Sequence, residues 1–255
     1  MTDPEDLPWE ELGPGIAQKL LYTQPTDGAR TLLLRSRPRP KAQLGDLKPQ
    51  YHPFYEEFLT LEGRFTLEGT HWLRPLTYVF YPAGLVHGFA VDVPDGYEIY
   101  LRNPGPFSFE TVDAPARDAP YLIDDPEQET PGIIIADCGG LIEKASASGE
   151  LSVIALRDIN GDGAVIAALS GGDELQLPLT DPAAYAEIFV LEGEVGLPDG
   201  ERLARRNHAL FAGPDPLQIR GTEPAVVMLN YHGQRLMDQI ASQAASLHRA
   251  SNAYP

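Results

Sequence analysis

Residues Gln50–Gly63 read QYHPFYEEFLTLEG, and how this stretch is read decides the fold. Gln50 and His52 are two apart, so on a strand they share a face. Pro53 lacks an N–H donor and bends the chain. Glu56 opens the next strand with Phe58 and Thr60 on its face, while Glu57 points the other way with Leu59 and Leu61. A second stretch, YPAGLVHG (Tyr81–Gly88), ends in another histidine after a proline- and glycine-directed turn. A barrel can bring His52, Glu56 and His87 to one point. Two imidazoles and one carboxylate with open positions is the arrangement used in Fe(II) oxygen chemistry, and imidazole also suits Zn, Ni and Cu. Without a metal the same groups form a polar pocket, with His52 and Glu56 available for acid–base work.

Strand-like runs extend outward in both directions. ARTLLLRS (Ala29–Ser36), TYVFYPAG (Thr77–Gly84) and YEIYLRN (Tyr97–Asn103) are rich in aromatic and branched residues and bounded by Gly, Pro or polar residues. The chain of 255 residues is 43% hydrophobic, enough for one large or two small cored domains. Its 24 glycines and 24 prolines suit a turn-rich β protein. A formal net charge of −18 repels phosphate backbones and anionic membranes, so neither nucleic acid nor membrane is an expected partner. The single cysteine, Cys138, cannot form an intrachain disulfide, which fits a reducing cytoplasm. The acidic first residues carry no targeting pattern, and no apolar run is long enough to span a bilayer.

The chain repeats itself. EFLTLEGRFTL begins at Glu57 and EIFVLEGEVGL at Glu187, while YVFYPAG begins at Tyr78 and HALFAGP at His208. Both pairs lie 130 residues apart, which argues for duplication of one β-rich domain. The proline-rich acidic stretch 113–132 reads as a linker between a domain at 1–112 and a second at 133–255. Gln234–Ala250 spaces Leu236, Ile240 and Leu247 to suit one helical face, as a packing helix or a dimer contact. Asp158–Gly163, DINGDG, begins like a calcium loop, but Leu169 stands where a bidentate Glu is required, so a hairpin turn is expected.

The two histidine stretches resemble the motifs of the cupins. The first cupin motif is His-x-His, three or four residues, Glu, six residues, Gly; here Gln50, His52, Glu56 and Gly63 occupy those positions. The second is Pro-x-Gly-x-x-His, here Pro82, Gly84 and His87. The resemblance implies an all-β bicupin: two tandem antiparallel jelly-roll barrels plus a C-terminal helix. It also implies a divalent metal, Fe(II) before Zn, Ni, Mn or Cu, held by His52, Glu56 and His87. Gln50 replaces the family's first histidine, either as a weak fourth ligand or as the holder of a bound water. Tyr55, Tyr78, Phe80 and Tyr100 are candidates to line the mouth, with Arg102 as counter-ion for a small anionic substrate. At the 130-residue offset the ligand positions become Thr180, Pro182, Ala186 and Leu217, so the second barrel is expected to hold no metal. Cupins include dioxygenases, isomerases, lyases and non-catalytic binders, and the motifs do not choose among them.

Overall fold

The computed structural model describes residues 1–25, 28–39, 47–106, 108–129 and 131–250. The chain divides into two compact units: residues 7–137, and residues 138–250 together with 1–6. The described residues are mostly strand, with helices at Pro4–Asp6, Gly139–Ala147 and Met237–Gln243. None of these is long and apolar enough to cross a membrane.

In residues 7–137 a seven-stranded antiparallel sheet has the spatial order Glu10–Gly13, Ile16–Thr23, Arg30–Ser36, Tyr97–Asn103, Glu56–Gly63, Thr77–Tyr81, Ile134–Asp137. Short strands and bridges make an opposing layer: Gln50–Tyr51 with Glu110–Thr111, Leu85–Val86 with Tyr121–Leu122, and Gln50 bridged to His87. Alternation fills the space between the two layers. Leu32, Phe58, Val79, Tyr81, Ile99 and Leu101 come from the large sheet, and Phe65, Leu73, Leu85 and Val93 face them.

The other unit pairs a six-stranded sheet with a four-stranded one. The first has the order His208–Ala212, Tyr185–Glu192, Ala225–His232, Asp162–Leu169, Ser152–Ile159, Ser246–Arg249, and the second Glu174–Leu177, Leu217–Gly221, Glu194–Gly196, Arg202–Ala204. Their core runs through Val165, Ile188, Val190, Val227 and Leu229 on one side and Leu175, Leu177, Leu217 and Ile219 on the other.

The duplication is visible strand by strand. The strands 77–81, 56–63, 97–103, 30–36 and 16–23 neighbour one another in the same order as 208–212, 185–192, 225–232, 162–169 and 152–159. Glu57 pairs with Phe80 and Arg102, and Glu187 pairs with Leu210 and Asn230. The Leu-Glu-Gly glycines have one physical reason in both copies. Gly63 has φ +78, and a Cβ there would lie 2.1 Å from the Gly96 carbonyl oxygen; Gly193 has φ +70, and its Cβ would lie 2.2 Å from that of Pro224. Neither position admits a side chain.

Two expectations are corrected. Residues 113–132 do not hang between the units: Tyr121 is buried and its strand pairs with Leu85–Val86, and Ile134–Asp137 then adds to the large sheet beside Thr77–Tyr81. Composition identified the loops, but the apolar anchors Tyr121, Ile133 and Ile135 hold the segment to the first core. The C-terminal helix is only Met237–Gln243. Beyond it Ser246–Arg249 runs parallel to Ser152–Ile159, whose open edge offers hydrogen bonds that outcompete further helical turns. A helix absent from the sequence reading, Gly139–Ala147, lies against the strands 152–159 and 162–169 through Ile142 and Ala145. DINGDG is a hairpin: Asn160 (φ 52) and Gly161 (φ 90) make the turn whose twist joins two antiparallel strands.

Candidate metal centre

Each candidate ligand is set by a different element. His52 follows the strand Gln50–Tyr51, Glu56 is the first residue of Glu56–Gly63, and His87 directly follows Leu85–Val86. Gln50 and His87 exchange both backbone hydrogen bonds, 2.9 Å each, so they share a face of that layer. His52 and Gln50 share a face by their spacing of two. Glu56 lies on the core side of its strand, because its pair is Tyr81 and the next residue on that side is Phe58, both in the core.

The three side chains converge. One ligand atom from each of His52, Glu56 and His87 lies within 4.8 Å of the others. His52 Nε2 is 3.8 Å from Glu56 Oε1, and His87 Nε2 is 3.9 Å from Glu56 Oε2. The other nitrogen of each ring is anchored: His52 Nδ1 is 2.7 Å from the Ser108 carbonyl and His87 Nδ1 is 3.0 Å from that of Leu85. A carbonyl can only accept, so Nδ1 carries the proton in both rings. In the neutral form of each ring that leaves Nε2, on the side of the carboxylate, as the atom that can ligate a metal. Burial lowers the His87 pKa; the Glu56 carboxylate and the Leu85 hydrogen bond oppose that, and His52 adds to it. The donor set of two imidazole nitrogens and a carboxylate suits a first-row divalent ion.

The centre is enclosed. His52 and His87 are 3% and 2% exposed. Phe54 stacks on His52 at 5.6 Å, and Phe109 meets the same ring edge-on at 6.4 Å while itself remaining 49% exposed. The Tyr81 and His87 rings lie 4.9 Å apart. Tyr97 stacks on Phe65 at 4.1 Å against the same core. Burial pushes its phenol up to about 12; Arg39 acts to lower it and Glu56 to raise it.

The residues expected to contact substrate lie elsewhere. Arg102 pairs with Glu57, and Tyr78 and Tyr100 pair with Leu59, so all three project from the face opposite Glu56. Arg102 Nη1 is 3.0 Å from Glu57 Oε1 and 3.0 Å from the Tyr55 hydroxyl, and Tyr78 donates to Glu57 Oε2 at 2.9 Å. Arg102 is 2% exposed and its charge is answered by Glu57, so it is no counter-ion for a ligand at the centre. Sequence reasoning also missed Ser108, Phe109 and Glu68. Glu68 accepts from the amides of Gly88 (2.8 Å) and Phe89 (3.3 Å), the two residues after His87. Burial raises its pKa, and those two bonds act to lower it. Its signal in the sequence is a second Leu-Glu-Gly, at 67–69, six residues after the first. Ser108 acts through its backbone and leaves no such signal.

Among the described residues the second unit has no counterpart. Ala186 stands where Glu56 does, fully buried between Phe211 and Tyr231 in the pairing. Leu217 stands at the position of His87 and is fully buried in the second core. Among the described residues, His52, Glu56 and His87 form the one such cluster of three or more potential ligands.

Residues 1–108 match the family model described as the ChrR cupin-like domain. No curated protein matches the chain. Among solved structures, the chain is similar to a candidate dioxygenase from Nostoc punctiforme, with TM-score 0.64 and 19% identity over 87% of this chain and 74% of that one. It is also similar to a variant of salicylate 1,2-dioxygenase from Pseudoaminobacter salicylatoxidans solved with gentisate, with TM-score 0.59 and 12% identity over 89% and 76%. A third is the bacterial pirin YhhW from Escherichia coli with nickel(II), with TM-score 0.56 and 9% identity over 91% and 97%. At these identities the likeness establishes the fold.

Proposed function

We propose that this chain, a two-barrel member of the cupin superfamily, is a divalent-metal-dependent enzyme whose single centre is His52, Glu56 and His87, and that it oxidises a small oxygenated organic molecule with O₂. The observation that carries the reading is the pair of anchored imidazoles: both Nδ1–H groups are committed to backbone carbonyls, and both Nε2 atoms face one carboxylate. A bound divalent ion supplies Lewis acidity and open coordination positions there. His52, Glu56 and His87 act as ligands rather than as bases. Phe54 and Phe109 exclude water from the His52 side. Tyr97 keeps its proton at neutral pH, because burial pushes its phenol up to about 12.

A salicylate dioxygenase and a candidate dioxygenase share the fold, and so does an oxalate decarboxylase, so the fold admits an oxygenase without selecting one. The test is oxygen uptake by iron(II)-loaded protein against a panel of small hydroxylated and carboxylated aromatics. Consumption of O₂ that needs both iron and substrate, and is lost in His87→Ala, supports the reading. Equal turnover without O₂ removes the oxygenase and leaves a redox-neutral isomerase or lyase. The enclosure of the centre favours a second reading, a barrel that binds a metal or small ligand without turning it over. Metal binding with no turnover of any panel member would select it.

A further inference from the structure

We propose that Glu68 is a positioning residue for the metal centre: its carboxylate grips the two amides that follow His87 and so fixes the direction of that imidazole. The proposal rests on the metal reading of His52, Glu56 and His87. Gly88 N–H donates to Glu68 Oε1 at 2.8 Å and Phe89 N–H donates to Oε2 at 3.3 Å. Gly88 has φ +86, which turns the chain so that two successive N–H groups converge on one anion. On its other side, His87 is held by the paired backbone bonds to Gln50, and its ring by the Leu85 carbonyl. The backbone is therefore fixed both at His87 and immediately after it. Without the carboxylate, two amides in a half-buried turn lose their acceptor, and the φ of Gly88 is free to relax.

Glu68 is itself held in place. Gly69 N–H donates to Thr66 Oγ1 at 2.8 Å, Ala90 N–H to the Leu67 carbonyl at 2.9 Å, and Thr66 and Asp92 exchange backbone bonds of 2.9 Å. The duplicated barrel offers an internal comparison. At the 130-residue offset Glu68 becomes Pro198, just as His87 becomes Leu217. The grip and the ligand it orients are absent together.

Cobalt(II) is the probe, because its visible spectrum reports ligand geometry. The full chain is titrated as wild type, Glu68→Gln and His52→Ala/His87→Ala, and unfolding of the metal-free proteins is followed by heat. Glu68→Gln keeps the shape but can accept only one of the two bonds. It is expected to weaken cobalt affinity about 10-fold, within the usual effect of a group that orients a ligand, and to change the spectrum. A merely structural role would lower the unfolding temperature and leave the spectrum of the folded protein unchanged; that result overturns the proposal. Cobalt bound equally well by the double histidine variant overturns the metal reading itself, a separate failure. If Glu68→Gln does not fold, Glu68→Asp replaces it, and wild type is read by amide exchange. Cobalt should then slow exchange at Gly88 and Phe89, and unchanged exchange counts against the proposal.

Discussion

Glu56 and Glu57 are adjacent in the chain and serve opposite faces of one strand. Glu56 turns to the core side, between the Nε2 atoms of His52 and His87 at 3.8 and 3.9 Å, while Glu57 turns outward to Arg102 at 3.0 Å. The period of two along a strand gives the two carboxylates different chemistry. Removing each should therefore do different things. Glu56→Gln should cut metal content by more than 10-fold and leave thermal stability of the metal-free protein nearly unchanged. Glu57→Ala leaves a buried guanidinium without its carboxylate and should cost about 3–5 kcal/mol, while folded protein still binds metal. Denaturant titration beside elemental analysis separates them; equal metal loss in both variants would contradict the facial division.

Arg102 follows the same logic. Arg102→Ala should destabilise by a similar amount, whereas Arg102→Met, which fills the volume without charge, should leave Glu57 buried and unanswered and raise the carboxyl's affinity for a proton. Stability of Arg102→Met should then improve as pH falls and Glu57 becomes neutral. A drop in metal affinity without a drop in stability would restore Arg102 to the site.

Gln50 decides how many coordination positions remain. Its backbone is bonded both ways to His87, so its side chain leaves the same face as that ligand. If three ligands suffice, Gln50→Ala retains metal and activity. Gln50→His adds an imidazole where the cupin motif has its first histidine and should tighten metal binding while slowing any reaction that needs three open positions. Calorimetric metal affinity beside turnover rate checks this; faster turnover in Gln50→His would argue that four ligands are the working set.

The His87 imidazole gives the metal-free protein a definite pH response. Burial holds its pKa below the ordinary 6.5, so the folded state binds fewer protons than the unfolded state just below that value. Stability should therefore rise with pH up to about 6.5 and be lost progressively as pH falls below it. Metal loading should weaken as His87 protonates. Unfolding midpoints of wild type and His87→Gln from pH 5 to 8 test the sign: the slope should flatten in the variant.

Much of this was legible because local chemistry and spacing carried it. The Leu-Glu-Gly glycines, the Pro82–His87 turn and the 130-residue repeat are local patterns, and Gly63 and Gly193 meet the same steric demand. The facing of Glu56 followed from alternation alone. What sequence did not reveal depended on long-range pairing. Arg102 has the chemistry of an anion receptor, but its partner Glu57 lies 45 residues away in the chain and takes its charge. Tyr121 looks like part of an acidic linker until the strand it pairs with is known. Ser246–Arg249 joins a sheet edge 94 residues distant, which no helical periodicity could announce.

Phe109 is the side chain to change if the centre is to be opened. It is 49% exposed, yet its ring meets His52 edge-on, and the neighbouring Ser108 carbonyl holds His52 Nδ1 at 2.7 Å. A half-exposed ring contributes only part of its area to the core, so Phe109→Ala should cost at most about 1–2 kcal/mol. The hydrogen bond from His52 to Ser108 is a backbone contact and survives the change, so the ligand keeps its tautomer. What alters is access: water and chelator reach the His52 side of the centre. Removal of metal by excess EDTA should speed up by about an order of magnitude, with equilibrium affinity within a few-fold of wild type. Stopped-flow loss of the cobalt(II) absorption measures it. An unchanged chelation rate would mean that metal leaves by another side of the barrel, and Phe54, stacked on the same ring at 5.6 Å, would be the next residue to vary.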